Sequence, residues 1–387
     1  MNVYHKAWSQ GNNLLGWVGR VCRDSFRAPG APVDIMFCMV DHYEPFNPRG
    51  EVESRQQIDR LVTEYPRLVE KHKDSDNCLP KRTWFFPPHN HKFGILKDLV
   101  SLCAQSYGEI ELHLHHGKTV PDDEQNLRQT IEQTLLEYSA FGIFGHEDGK
   151  RRYGFIHGDW ALDNSRNGRF CGVNSEITIL KQTGCYADFT FPSNNEASPR
   201  KINSIYYATD DPQKPKSHDS GRPVKRGVAA SGDLMIVEGP THPYFIKPGL
   251  GGLRVIGDSV DIDRGPDNKR IDCWVRTAVH VLGKRNWVFI KVHTHGATNL
   301  PVVLGKPMDQ AFSYLEERYN DGKQFRLHYV TARELYNIVK AAEAGESGEN
   351  PSAFRDYKIQ KPNYDPSANA SEASEKLQSL IAKTYKD

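Results

Sequence analysis

No stretch of this sequence is apolar for the roughly 20 residues that a membrane-crossing helix needs. Charge of one sign is missing too. Lys and Arg number 50 against 49 Asp and Glu, a formal net charge of +1. That balance supplies no global pull toward nucleic acid or an anionic membrane. The first twenty residues lack the apolar core and small-residue cleavage site of a secretory signal, because Gln10, Gly11, Asn12 and Asn13 interrupt them. There is no CxxC, and the 7 cysteines are scattered and odd in number. Buried free thiols in a reducing compartment are therefore expected, rather than a disulfide framework. Together these absences lead us to expect a cytoplasmic protein with no membrane span and no nucleic-acid partner.

What the chain does have is alternation. Hydrophobic residues make up 38% and charged residues 26% of the 387, enough for one large core with a well-solvated surface. Strand-like apolar runs cover 33–40, 82–86, 109–115, 153–157, 186–191, 205–209, 287–293 and 325–330. Between them, helical spacing covers 54–73, 94–104, 124–141, 174–183, 272–282, 308–320 and 332–344, with Asp122 or Asp123 as one N-cap and Gly184 as a stop. Strands alternating with helices predict an α/β fold with a mainly parallel sheet. Their number favours a (β/α) barrel, partly open and seven- or eight-stranded. The barrel would span 33–344, after an N-terminal extension over 1–32. The segment 210–267, rich in Pro, Gly, Lys and Asp, reads as a β-rich insertion that includes a basic, solvated loop over 214–226. Beyond Gly345 the chain turns polar, and a loose tail over 345–387 ending in a short helix at 373–383 is expected.

Histidines collect at the ends of these strands: His42, His89, His91, His113, His115, His116, His157, His293 and His295. In α/β barrels the strands' carboxyl ends converge on one mouth, where the chemistry sits. Side chains alternate along a strand. In 109–115, Ile110, Leu112 and Leu114 should face helices, and Glu111, His113 and His115 the opposite side. A polar inward face is costly unless water, a partner or a metal satisfies it, and neutral imidazole is the commonest ligand of zinc and similar metals. Histidines hydrogen-bonded to one another at a wet mouth are the plainer alternative. In 33–45 an apolar strand delivers Asp41 and His42 at its exit, followed by Tyr43, Glu44 and Pro45. Asp41 suits a general base or a metal ligand. Strand 287–293 repeats the pattern, with Val288, Ile290 and Val292 on one face and Lys291, His293 and His295 on the other. His293 suits a proton donor. Lys291 suits an oxyanion partner, or equally a salt bridge to Glu111. In 153–164, His157 and Asp159 share parity, and Trp160 offers either a platform for a sugar ring or a core side chain. Glu44, His157, Asp159, Trp160, Lys291 and His295 are the candidate substrate contacts.

Taken in order, these segments resemble the polysaccharide deacetylase superfamily, a partly open (β/α) barrel. Val40-Asp41-His42 stands where that family has its Asp pair, with His42 replacing the second Asp. The stretch 109–113 resembles the strand that opens the family's metal-histidine motif, which marks His113 as a ligand. The family's second histidine falls at Gly117, so His115 or His116 has to substitute. The stretch 155–163 is similar to the next strand and turn, without the family's Arg, and 290–293 is similar to the strand ending in the catalytic histidine. The resemblance implies a divalent metal, most plausibly zinc, held by His113, by His115 or His116, and by His42 or Asp41. It implies Asp41 as base, His293 as acid, and a carbohydrate or glycan precursor as the deacetylated substrate. Hydrolysis of a glycosidic or phosphoester bond is the first rival. A non-catalytic carbohydrate-binding barrel, suggested by the lost Asp pair and Arg, is the second.

Overall fold

The computed structural model describes residues 32–45, 50–88, 93–191, 196–246, 254–258, 261–262 and 265–368. His89, His91 and the expected helix 373–383 lie outside them. The architecture is mixed α/β. Its strands are β1 (Val33–His42), β2 (Arg82–Phe86), β3 (Gly108–Leu114), β4 (Gly145–Glu147), β5 (Lys150–His157), β6 (Cys185–Asp188), β7 (Ile205–Ala208), β8 (Gly221–Pro223), β9 (Leu234–Val237), β10 (His242–Ile246), β11 (Arg254–Asp258), β12 (Trp287–Thr294) and β13 (Phe325–Val330). The helices are α1 (Glu51–Val69), α2 (Phe93–Ala104), α3 (Glu124–Ser139), α4 (Glu176–Thr183), α5 (Asn268–Thr277), α6 (Leu300–Val303), α7 (Lys306–Tyr319) and α8 (Ala332–Ala344).

Eleven strands form one mostly parallel, open sheet in the order β12-β1-β2-β3-β5-β6-β9-β7-β8, with β13 also on β1 and β4 on β5. A single crossing segment brings its two ends near each other. Leu282 N–H donates to Val224 O at 3.0 Å, Arg226 N–H to Leu282 O at 2.8 Å, and Phe289 N–H of β12 to Val279 O at 2.8 Å. Helix 272–282 was expected here. The helix stops at Thr277, because Ala278 turns left-handed (φ 50°) and frees Val279 and Val281 to run extended into the core. Strands β8 to β11 all come from 210–267.

Strand β1 is central, and all ten of its residues are buried. It pairs with β12 along one edge. On the other, its first half pairs with β13 and its second half with β2. Ile35, Phe37 and Met39 enter the core beneath the outer helices, together with Ile110, Leu112, Leu114, Val288, Ile290 and Val292. Met36, Cys38 and Val40 face a second core on the opposite side, which Leu335, Ile338, Val339, Ala341 and Ala342 of α8 fill. Helix α8 can lie there because it is apolar or ion-paired nearly all round. A capping box of Thr331 and Glu334 starts it, and left-handed Gly345 (φ 88°) ends it.

Where a loose tail was expected, residues 345–368 pack back on the body. Arg333 donates to Ile359 O at 2.7 Å, Asn337 holds both the N–H and the C=O of Ile359, and Tyr364 OH accepts from Ile110 N–H at 2.9 Å. Polar composition hid this, because the anchors are backbone groups, polar side chains such as Tyr364 and Arg355, and one buried Ile359.

Candidate metal centre

Parallel pairing puts the carboxyl ends of β1, β3, β5 and β12 at one end of the sheet. The registers Val40↔His293 and Leu114↔His157 bring their terminal histidines into one band. The His42 ring centroid lies 5.1 Å from that of His113, 4.8 Å from His295 and 5.9 Å from His293. His113 lies 4.8 Å from His115.

Each ring's partners set its chemistry. His113 Nδ1 is 2.9 Å from Ile156 O, and a carbonyl only accepts, so Nδ1 carries the hydrogen. Its Nε2 is left as a lone pair. That atom is buried and lacks a hydrogen-bond partner among the described residues, as does His42 Nε2. Glu44 Oε1 lies 3.7 Å from His113 Nε2, beyond hydrogen-bond reach, and 2.6 Å from His115 Nε2. His115 Nδ1 is 2.8 Å from Asp159 Oδ2. Burial holds His42 well below the usual imidazole range, and the rings of His295, His113 and His293 push the same way. Burial likewise lowers His113. Burial opposes the charged forms of His115 and Glu44, but their mutual contact, with Asp159 and His113 adding to it, raises the first and lowers the second. Glu44, His113 and His115 each offer one ligand atom within 4.8 Å of the others. A buried lone pair on His113, the Glu44 carboxylate and a histidine oriented by Asp159, with the unpartnered Nε2 of His42 nearby, make a donor set that fits a divalent cation. Gly158 is needed beside it, because a Cβ there would sit 2.2 Å from His115 Nδ1.

Other expected residues go elsewhere. Asp41 is on the opposite face of β1 from His42. Its Oδ2 is 3.0 Å from Arg82 Nη1, and its Oδ1 accepts Gly296 N–H at 2.8 Å, all of it buried. The base and ligand roles expected of Asp41 thus meet a carboxylate already engaged by Arg82 and Gly296 N–H. Lys291 does point inward, but it does not reach Glu111. Its Nζ donates to Phe189 O at 2.8 Å, with its charge disfavoured by burial and Asp188 as its nearest carboxylate influence. Glu111 instead accepts from Tyr186 OH and Gly154 N–H, each at 2.6 Å, and burial pushes its carboxyl up to about 8. Trp160 is half-buried against the outer core, and Asp159 is exposed beyond its bond to His115.

The choice between His115 and His116 resolves geometrically. His115 stands with His113 and Glu44, whereas His116 turns away to a second buried group with His157, Cys171 and Glu176. His157 therefore leaves the mouth. Cys171 and Glu176 went unnoticed in the sequence because they lie far along the chain from His116 with no metal-ligand spacing between them. A cavity of about 420 Å³ is lined by His115, His116, Gly117, Lys118, Val120 and Asn126, among others. No protein-family model matches the chain, and no curated protein matches it.

Proposed function

We propose that the protein is a metal-dependent hydrolase that deacylates a carbohydrate or glycan precursor, built on a partly open (β/α) barrel. One observation carries the reading. His113 is fixed by Ile156 O with its Nε2 lone pair buried and unpaired beside His42, Glu44 and His115, at the strand ends where such barrels keep their chemistry. The order of motifs that resemble the polysaccharide deacetylase superfamily supports the reaction class. The crossing bonds at 279–282 support the near-closed barrel.

His113, His115, Glu44 and His42 would hold the cation, with zinc suited to such nitrogen and oxygen donors. When bound, a divalent cation there supplies Lewis acidity to a carbonyl oxygen and to water. Asp159 keeps the His115 ring in one orientation. His293, on the β12 side of the mouth, protonates the leaving amine or alkoxide. His295, Asp159 and Trp160 would contact the sugar. Six free cysteines among the described residues support action in a reducing compartment such as the cytoplasm.

We expect His113→Ala to lose about one equivalent of metal by elemental mass spectrometry. His293→Ala should keep the metal while acetate release from acetylated saccharides falls by at least the ~10²-fold typical of a lost acid–base group. Turnover retained in both variants would sink the assignment. Reducing ends or phosphate in place of acetate would favour the rival bond classes. The removal of Asp41 into its pair with Arg82 favours a second reading, a sugar-binding barrel without turnover. Saccharide binding at saturating zinc with no product of any kind would establish it.

A further inference from the structure

The second group stands apart from the mouth. His116 follows β3, His157 ends β5, Cys171 lies in the loop 161–175, and Glu176 opens α4. All four are buried, and their ligand atoms lie within 4.8 Å of one another. His116 Nδ1 faces Asp122 Oδ2 at 2.8 Å, and His157 Nδ1 faces Gly158 O at 2.5 Å. Both partners only accept, so each neutral ring carries its hydrogen on Nδ1 and presents a bare Nε2. These two nitrogens face each other at 2.9 Å, with Glu176 Oε1 at 3.1 Å from one and 3.5 Å from the other. Cys171 Sγ lies 3.4 Å from Glu176 Oε2. Two lone pairs and a carboxylate thus converge on one buried point, so a proton or a cation must sit between the rings.

We propose that His116, His157, Cys171 and Glu176 bind a structural zinc ion. Two imidazoles, a thiolate and a carboxylate are four donors of the types zinc takes in closed tetrahedral sites, with bonds of about 2.0–2.3 Å. An N–N edge of such a tetrahedron measures about 3.3 Å, so the 2.9 Å separation needs only a small opening. The charges also balance: one thiolate and one carboxylate neutralise a dication in a buried site. Supporting contacts are already in place. Asp122 and Gly158 O orient the two rings, and Glu176 Oε2 accepts Asp163 N–H at 2.6 Å. The ion would also explain how the irregular loop after β5 holds its shape. Asp159, Trp160, Asp163, Asn164, Asn167 and Phe170 all have positive φ there. Cys171 O is anchored by Asp122 N–H at 2.7 Å, and Gly117 (φ 62°) leaves it room, since a Cβ would come within 1.9 Å. Zinc at this point ties the loop that carries Asp159 and Trp160 to the strand ends.

Cobalt substitution tests the proposal on the full chain. The protein is stripped with chelator and titrated with Co2+. One thiolate ligand gives a sulfur-to-cobalt charge-transfer band in the near ultraviolet. We expect that band in the wild type and in His113→Ala, and its loss in Cys171→Ser. Zinc content should fall by about one equivalent in His157→Ala. Absence of the band in the wild type at saturating cobalt, or its survival in Cys171→Ser, would overturn the proposal. If Cys171→Ser fails to fold, X-ray absorption of the zinc-loaded wild type decides: one sulfur among the ligands supports the site, and none refutes it. Because His113→Ala removes only the mouth, failure of the hydrolase reading leaves these outcomes unchanged.

Discussion

Arg82 and Asp41 are both fully buried and ion-paired at 3.0 Å. Arg82 also reaches toward Val303 O and stacks over the Tyr65 ring, while Asp41 holds Gly296 N–H. Removing one partner of such a pair leaves an uncompensated charge, which costs about 3–5 kcal/mol. Arg82→Met should therefore lower the unfolding free energy from urea titration by that amount. Asp41→Asn with Arg82→Met together should recover much of it. Additive losses in the double variant would show that the pair is not coupled. At this scale the sequence was only half readable. Period-two alternation correctly separated His113 from Leu112 and Leu114, and His293 from Val292. It could not show that Asp41, one residue before His42, faces a buried arginine from the next strand, because partners across strands are set by register and not by spacing.

Among the elements, β13 carries a pH-sensitive joint. His328 is buried between Asp34 of β1 (3.0 Å from its Nε2) and Asp76 (2.7 Å from its Nδ1). Burial works against its charge, but the two carboxylates outweigh burial and raise it above 6.5. Asp76 moves the other way: burial is overcome by His328, Ser352 and Asn350, and it lies below 3.8. A raised histidine stabilises fully below its unfolded value and loses that contribution as pH climbs through its folded one. A lowered aspartate stabilises above its unfolded value and loses that as pH falls through its folded one. The joint is therefore at full strength between about pH 4 and 6.5. The stability difference between wild type and His328→Gln, from urea titrations, should be larger at pH 6 than at pH 9. An equal difference at both would mean that His328 is neutral in the fold. Helix α8 and β13 match their sequence expectations to the residue, because a capping box and a terminal glycine mark one and clear alternation the other. The end of α5 was misread because Val279 and Val281 fit helical spacing as well as an extended run, and the left-handed turn at Ala278 left no sign in the sequence.

For the molecule as a whole, the polar segment after Gly345 is a strap that closes one side of α8. Truncation after Gly345 would strip Arg333 and Asn337 of their bonds to Arg355 O and Ile359 while leaving both side chains facing α8's buried surface. We expect the melting temperature to fall by more than about 5 °C, given the roughly 2 °C per kcal/mol of a large domain. An unchanged melting curve would show that the strap is ornamental. The split edge of β1 has a consequence during synthesis. This buried central strand leaves the ribosome well before β12 and β13, which cover one edge and half of the other and emerge some 250 to 290 residues afterwards. At about 5–20 residues per second, its hydrogen-bonding edges stay open for roughly 12–60 s. Nascent chains stalled before residue 287 should therefore present a sticky, unpaired template for other strands.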